Sequence, residues 1–343
     1  MKWKPENTWV IYASLVEGHF NPDGRRDFEM VEAFKEAGIP EEQIYFLGDH
    51  KATGVNMEKA LAEVCESADE DSFLIYIYSG HGGLSNLDDG YTCYYALEGE
   101  KNFYSADVIK QLDSSFGGKF AWVISDCCYS GAATENVEAY EGEVNIAALS
   151  STAPFDSAWS GWLLIAQLIW LMEGRSFLDE DGDGKITLTD FCTFVENEMA
   201  LVRHFRSNFF IPEGFEDFAF HSDVEETSHE RERERVTAPR GDSWDYARIL
   251  SVDEDEETAE VQWLDRYGNS TDTVKLKDCS PIEVKQLEAG DKVKVVKADQ
   301  NNKEGAKGEV EEVFYGLHLV HFEGKETRQE EYDWLDYSKI KKI

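Results

Sequence analysis

The fold of this chain is decided by the stretch Phe73-Leu74-Ile75-Tyr76-Ile77-Tyr78-Ser79-Gly80-His81-Gly82-Gly83. Its first six residues are apolar without a break, which is typical of a short strand buried on both faces of a parallel sheet. The small residues that follow allow the backbone to turn where the strand ends. The stretch therefore predicts a central strand with a histidine just beyond its carboxyl end.

On both sides of this stretch, up to about residue 157, short β-rich runs alternate with segments of helical period. The predicted strands cover residues 10–15, 43–47, 73–78, 120–125 and 145–150. The predicted helices cover residues 27–37, 56–65 with Asn56 as the cap, 106–112 and 159–173, and residues 91–96 form an exposed extension. This order predicts an α/β fold, with a mainly parallel sheet flanked by helices. Ligands of such sheets bind beyond the carboxyl ends of the strands.

The composition limits the function. Asp and Glu number 70 against 33 Lys and Arg, which gives a formal net charge of −37. Phosphates and anionic lipids require clustered cations, so we expect no nucleic-acid partner and no membrane partner. A cytoplasmic location is expected, because residues 1–9 lack a signal-like apolar run and the apolar segment 162–172 is too short for a bilayer span. A salt-adapted source is an alternative origin of the acidity, although lysine outnumbers arginine.

The predicted domain order separates the α/β part from a strand-rich carboxyl-terminal part. Residues 1–220 form the α/β domain, and the sign-alternating segment 221–240 forms a solvated linker. Residues 241–288 and 289–343 form two small β-barrel domains. Each begins near a Gly-Asp pair, at Gly241 and Gly290, which suggests a weak tandem repeat of about 49 residues.

A histidine and a cysteine follow two of the predicted central strands. His81 lies in Ser79-Gly80-His81-Gly82-Gly83, and Cys128 lies in Asp126-Cys127-Cys128-Tyr129-Ser130-Gly131. A thiolate nucleophile needs an imidazole for proton transfer and small residues that let a substrate approach. The backbone amides of Gly82 and Cys128 are the candidate donors to a developing oxyanion. This pattern indicates covalent catalysis by a His and Cys pair.

The order of strand, Ser-Gly-His-Gly, helix, strand and Asp-x-Cys-x-Ser-Gly resembles the caspase-type cysteine peptidases, within them the metacaspases. The resemblance covers about residues 8–220 and implies that His81 is the catalytic histidine and Cys128 the nucleophile. It further implies an acidic pocket for the side chain before the cleaved bond, at Asp126, Ser79 and Asp27. Such a pocket selects Arg or Lys. Tyr129 stands where metacaspases commonly have histidine.

Two alternatives remain open at this stage. Arg25 and Arg26 precede Asp27, and either guanidinium in the pocket would turn the preference towards Asn or Asp, as in legumain-like peptidases. The other alternative is a catalytically inert caspase-fold adaptor that uses its barrels to bind partners. The intact His81 and Cys128 favour an enzyme.

An acidic loop at residues 179–190 follows the pattern of an EF-hand calcium loop. Its candidate ligands are the carboxylates of Asp179, Asp181 and Asp183, the backbone carbonyl of Lys185 and the side chain of Asp190. The last position carries Asp where a bidentate Glu is usual, which predicts weaker binding. We therefore expect Ca²⁺ as a cofactor and no organic cofactor.

The first barrel resembles Tudor-type domains around residues 244–249 and 261–269. That resemblance implies an aromatic cage for a methylated Lys or Arg of a protein partner, with Trp244, Tyr246, Trp263 and Tyr267 as the candidates. For each of these, an ordinary core or cross-strand role is the alternative. The linker arginines are candidate sites of self-cleavage that would release the barrels: Arg231, Arg233, Arg235 and Arg240.

Overall fold

The chain forms two compact units in a computed structural model. The structure describes residues 1–16, 25–87, 90–99, 102–157, 162–225, 229–264, 270–298, 302–322, 324–325 and 332–343. The first unit consists of Met1–Val195 and Ser207–Thr227, and the second of Glu196–Arg206 and Ser228–Ile343. The second unit therefore takes in a short segment that lies, along the chain, between two parts of the first.

The first unit alternates strands and helices along the chain. Its strands are β1 (Thr8–Ser14), β2 (Ile44–Gly48), β3 (Phe73–Ser79), β4 (Gly82–Leu87), β5 (Gly90–Tyr95), β6 (Phe103–Tyr104), β7 (Phe120–Asp126), β8 (Ile146–Ser150), β9 (Ile186–Thr187), β10 (Asn208–Phe210) and β11 (Ala219–His221). Its helices are α1 (Asp27–Glu36), α2 (Gly54–Ser67), α3 (Ser105–Ser115), α4 (Gly131–Glu138) and α5 (Leu163–Glu173). Helix α6 (Leu188–Glu198) begins in the first unit and ends in the second.

Six strands form the main sheet, in the order β10-β8-β7-β3-β1-β2. The strands from β8 to β2 pair in parallel, and only the edge strand β10 is antiparallel. All seven residues of β3 are buried, as its continuous apolar run requires. The expected mainly parallel sheet with flanking helices is confirmed.

Two local predictions in this unit were wrong. Helix α2 is capped by Thr53, whose hydroxyl accepts a hydrogen bond from the amide of Asn56 at 3.2 Å, so Asn56 is not the cap. Residues 91–96 are not an exposed extension, because β5 pairs with both β4 and β6 and buries Cys93 and Tyr95. Trp159, at the start of the predicted apolar helix, lies outside the described residues.

The second unit contains two small antiparallel sheets, consistent with small barrel-like domains. The first small sheet consists of β12 (Arg235–Arg240), β13 (Ser243–Asp253), β14 (Thr258–Trp263), β15 (Thr271–Lys275) and β16 (Ser280–Pro281). The second small sheet consists of β17 (Lys292–Val295), β18 (Lys307–Phe314), β19 (Leu317–His321), β20 (Tyr332–Asp336) and β21 (Ile340–Lys342). In each, the first four strands form a meander and the fifth pairs back onto the first.

The boundaries of the small sheets differ from those predicted. Residues 221–240 are not a linker throughout, because Arg235–Arg240 is strand β12 and pairs with both β13 and β16. The two sheets share a strand order, but not in the 49-residue register suggested by the sequence. Gly241 lies between the first and second strands of its sheet, whereas Gly290 precedes the first strand of the other.

Candidate active site

The two motif residues lie beyond neighbouring strands of the main sheet. Strands β3 and β7 pair in parallel along their whole length, and Ser79 at the end of β3 stands opposite Asp126 at the end of β7. His81 and Cys128 each follow two residues later. The parallel register therefore brings both motifs to the same edge of the sheet, as predicted from the sequence.

The backbone at Gly82 packs directly against the two cysteines. A Cβ atom built on Gly82 would lie 2.6 Å from the Cys127 sulfur and 2.6 Å from the Cys128 carbonyl oxygen. Real Cβ atoms essentially never approach other heavy atoms so closely. Glycine is thus required where the histidine loop (residues 79–83) meets the cysteine loop (residues 126–131). Gly82, a predicted oxyanion donor, begins β4 opposite Tyr95.

A buried tyrosine, Tyr78, forms a hydrogen bond to the backbone of the histidine loop. The Tyr78 hydroxyl donates to the carbonyl of His81 at 2.6 Å, and the amide of Ala96 donates to the same carbonyl at 2.9 Å. The ring of Tyr78 stacks on that of Tyr95, with centroids 4.4 Å apart. These contacts fix the backbone of His81, while its side chain is exposed.

The cysteine loop is fixed by the segment that follows β8. Tyr129 has a φ of +60°, a conformation that costs energy for a residue with a side chain, and its amide donates to the Asp156 carbonyl at 2.7 Å. The Ser130 hydroxyl accepts a hydrogen bond from the amide of Thr152 at 3.1 Å, and the Thr152 hydroxyl accepts one from the amide of Ser130 at 3.2 Å. Strained residues held in this way are frequent at catalytic sites.

The adjacent cysteines occupy different environments. Cys127 is buried, and its sulfur lies 3.7 Å from the sulfur of the buried Cys93. Burial, and next the neighbouring Cys93, raise the pKa of the Cys127 thiol well above its ordinary value, so this thiol stays protonated. Cys128 is half-buried. Of the two, only Cys128 combines access from outside with a position beside the histidine loop.

The predicted pocket residues share one face of the sheet. Ser14, Ser79 and Asp126 stand side by side at the carboxyl ends of β1, β3 and β7. The Ser79 hydroxyl donates to the Asp126 carboxylate at 3.4 Å, a long hydrogen bond. Burial, followed by the nearby carboxylates of Asp27 and Asp126, raises the pKa of Tyr12. Both predicted acids therefore act on the same buried phenol.

Arg25 binds the deeper of these acids. Asp27 is fully buried, and its two carboxylate oxygens accept hydrogen bonds from Arg25 at 2.8 and 2.5 Å. A third guanidinium nitrogen donates to Asp49 at 2.9 Å. Arg25 thus lies between two carboxylates, and its hydrogen bonds to Asp27 and then to Asp49 raise its pKa. Arg26 instead pairs with Glu29.

The acidic loop brings three of its predicted ligands together. One oxygen from each of Asp179, Asp181 and Asp183 lies within 4.8 Å of the others. Asp179 is buried and accepts hydrogen bonds from the amides of Gly182 and Gly184, both at positive φ. Oxygens bound to one calcium ion at about 2.4 Å are separated by less than about 5 Å, so the donor set fits a hard cation.

The remaining two predicted ligands stand close to this cluster. The Asp183 carboxylate pairs with the ammonium group of Lys185 at 2.8 Å, so that lysine already shields one ligand. One oxygen of Asp190 accepts hydrogen bonds from the amide and hydroxyl of Thr187 at 2.8 and 2.6 Å, at the start of α6. Burial, with a further contribution from Asp181 and Asp179, raises the pKa of Asp190.

The three predicted cage residues that the structure describes do not come together on the first small sheet. Trp263 is 1% exposed and lies in the sheet's core. Trp244 and Tyr246 lie on the opposite face of that sheet, where they are 60% and 38% exposed. The prediction of a shared cage failed because alternate residues of a strand point to opposite faces. Tyr267 lies outside the described residues.

Three residues near the candidate site were missed by the sequence reasoning. Asp49 follows β2 at the same sheet edge, so the rule that found His81 would have found it. Tyr12 and Cys93 carry no sequence signal, because each resembles any buried strand residue.

Among the described residues, no helix is long and apolar enough to cross a membrane.

Comparison with known proteins identifies a family over most of the first unit. The family model described as the caspase domain matches residues 28–237, which include His81 and Cys128. Among solved structures, the crystal structure of a Geobacter sulfurreducens protein is similar, with 16% identity and a TM-score of 0.41, over 64% of this chain and 100% of that chain. No curated protein matches this chain.

Proposed function

Since this chain belongs to the caspase-domain family, we propose that it is a cysteine endopeptidase of the metacaspase type, with Cys128 as nucleophile and His81 as its proton-transfer partner. The observation that carries the proposal is the close packing of Gly82 against the Cys128 carbonyl, which joins the two loops. The half-buried state of Cys128 and the protonated, buried state of Cys127 support the choice of nucleophile.

The proposed reaction is acyl transfer in two steps. The Cys128 thiolate attacks the carbonyl carbon of the scissile peptide bond, and the amides of Gly82 and Cys128 stabilise the oxyanion. As the C–N bond breaks, the His81 imidazolium protonates the leaving amine. His81 then takes a proton from the water that attacks the acyl-enzyme, and the thiolate leaves with its electron pair.

Labelling with a peptidyl electrophile tests this proposal and its main alternative, the inert adaptor. We expect rapid modification of Cys128, loss of that labelling in His81→Ala and unchanged labelling at Cys128 in Cys127→Ala. An adaptor would label slowly, and His81→Ala would make no difference. Hydrolysis of a peptide library gives the independent readout, with Cys128→Ala as the blank.

We further propose that cleavage follows Arg or Lys. Asp27, Asp49 and Asp126 supply three carboxylates at this edge of the sheet, and Arg25 pairs with the first two, so a basic side chain would meet the carboxylate of Asp126. The position of Arg25 is also the observation that favours the second candidate, a legumain-like preference for Asn or Asp. Fluorogenic peptides ending in Arg, Lys, Asn and Asp decide between them. Preferential turnover of Asn or Asp contradicts the acidic pocket.

Calcium binding at the acidic loop is the next part of the proposal. Asp179, Asp181 and Asp183 would hold the ion with their carboxylates, joined by the Lys185 carbonyl and the Asp190 side chain. Calorimetry with calcium should lose one binding event in Asp181→Ala/Asp183→Ala. The matched control, Glu66→Ala/Glu70→Ala, removes two exposed acids elsewhere and should keep it. Equal binding by both variants would remove the loop from the proposal.

Self-processing is proposed at the start of the second unit. Arg235 and Arg240 lie in β12, which is paired on both sides, so cleavage after either is disfavoured. Arg231 and Arg233 precede that strand, and we expect cleavage there. Incubation with calcium should yield new termini after these two residues, and Cys128→Ala should yield none. An active chain that stays intact would count against this part.

Partner recognition by the first small sheet now depends on Trp244 and Tyr246. Their exposed rings would contact a methylated Lys or Arg of a protein partner. Peptides carrying trimethyllysine or dimethylarginine are the probes, titrated against the full chain and against Trp244→Ala/Tyr246→Ala. Equal binding by both proteins would exclude these rings.

A further inference from the structure

The segment Glu196–Arg206 begins at the end of helix α6 and is part of the second unit, whereas the start of that helix is part of the first. We call it the inserted segment. Near its start, Glu198 is buried and one of its oxygens accepts hydrogen bonds from Arg235 at 2.7 Å and Arg248 at 2.6 Å. The side chain of Arg248 is 1% exposed. The inserted segment is therefore bound to the first small sheet by a buried ion pair.

The other end of the inserted segment is held by two aromatic rings. The guanidinium carbon of Arg206 lies 3.8 Å from the centre of the Phe314 ring and 5.7 Å from that of Trp334. A guanidinium nitrogen of Arg206 also donates to the carboxylate of Glu196. Only 16% of the Arg206 side chain is exposed. The cation thus has an aromatic face and a carboxylate as neighbours.

These rings lie on the outer face of the second small sheet. The core of that sheet is formed by the opposite face, which includes Val310, Val320 and Leu335. Phe314 is near the end of β18, and Trp334 on β20 pairs with Leu319 of β19, which is on the outer face too. The site is therefore a feature of the sheet surface and is separate from its packing core.

We propose that Phe314, Trp334 and Glu196 form a guanidinium-binding site, which the chain fills with its own Arg206. A planar guanidinium stacks on aromatic rings and donates in its plane to a carboxylate, and this pairing distinguishes it from an ammonium group. All three elements of that recognition surround Arg206. The ligand class is an alkylguanidinium, presented as an arginine side chain, and a partner's arginine would compete with Arg206 for the site.

Chemical rescue in the full-length chain tests this proposal. Arg206→Ala removes the internal ligand beyond Cβ, and ethylguanidinium has the size of the missing group. The readout is the indole N–H resonance of Trp334, assigned by its loss in Trp334→Phe. We expect a saturable shift with ethylguanidinium in Arg206→Ala, about tenfold weaker binding of ethylammonium, and no saturable shift in the wild-type chain.

The matched control keeps the Arg206→Ala substitution and also removes one of the two aromatic rings. Arg206→Ala/Phe314→Leu should lose the saturable shift. If Arg206→Ala does not fold, Arg206→Lys serves for the same test. Lysine keeps the positive charge opposite Glu196 but lacks the planar guanidinium group, so ethylguanidinium should displace its side chain from the site. A shift that is absent in the single variant, equal in the double variant, or equal for ethylammonium overturns the proposal.

Discussion

Replacement of Gly82 by alanine tests the junction between the histidine loop and the cysteine loop. The new Cβ would lie 2.6 Å from the Cys127 sulfur, 2.6 Å from the Cys128 carbonyl oxygen and 2.9 Å from the Cys127 Cβ. Ordinary contacts need about 3.5 Å, so the histidine and cysteine loops must separate by about 1 Å. A misplacement of that size at reacting groups costs about a hundredfold in rate, or about 2.7 kcal/mol in the activation barrier.

The assay compares two glycine variants. Gly117→Ala is the control, because its new Cβ would have one neighbour, the Ala68 carbonyl oxygen at 3.7 Å, which is an ordinary contact. We expect Gly82→Ala to lose about a hundredfold in both peptide hydrolysis and electrophile labelling, and Gly117→Ala to retain both. Overpacking also destabilises, by about 1–3 kcal/mol, so unfolding is measured in parallel. Full activity of a folded Gly82→Ala chain refutes the argument that these loops must touch.

Two further predictions concern the stability of the second unit. Glu198→Ala leaves the buried Arg248 without its carboxylate and should lower the free energy of unfolding in urea by about 3–5 kcal/mol. The control, Glu173→Ala, breaks an exposed pair and should lower it by less than about 1 kcal/mol. Equal losses in the two variants would contradict the buried ion pair. Burial lowers the pKa of His318, whose neutral ring accepts a hydrogen bond from the Leu287 amide at 2.8 Å. The unfolded chain therefore binds this proton at higher pH, and the stability it contributes is present above about pH 6.5 and falls as the pH drops below it. Hydrogen exchange in β19 at pH 7 and pH 5 measures this, and His318→Gln should flatten the dependence; an unchanged slope would exclude His318.

The position of the candidate site could be predicted because its signals are local. The unbroken apolar run of β3 and the polar residues just after it are both visible in the sequence. The parallel register then places Ser79 opposite Asp126. Long-range pairs gave no such signal. The contacts of Glu198 with Arg248 and of Arg206 with Phe314 join residues far apart in the chain, so no local pattern predicts them.

The aromatic cage shows where residue type alone misleads. Aromatic cages are built from tryptophan and tyrosine, the residue types of Trp244, Tyr246 and Trp263. Their order along the chain resembles that of a Tudor-type domain. Which face each ring occupies depends on strand register, which pairs Trp263 with Ala247 and leaves Tyr246, one residue earlier, on the other face. A single residue of offset transfers a ring from the surface to the core.

The inserted segment changes what a cut in the chain would achieve. Cleavage after Arg231 or Arg233 would leave the inserted segment on the amino-terminal fragment and both small sheets on the other. Yet Glu198 would still be buried against Arg248, and Arg206 would still lie on Phe314. The products would then behave as the complementing halves of a split protein, copurifying under native conditions and separating only in denaturant. Cleavage would then break the polypeptide chain without separating its two fragments.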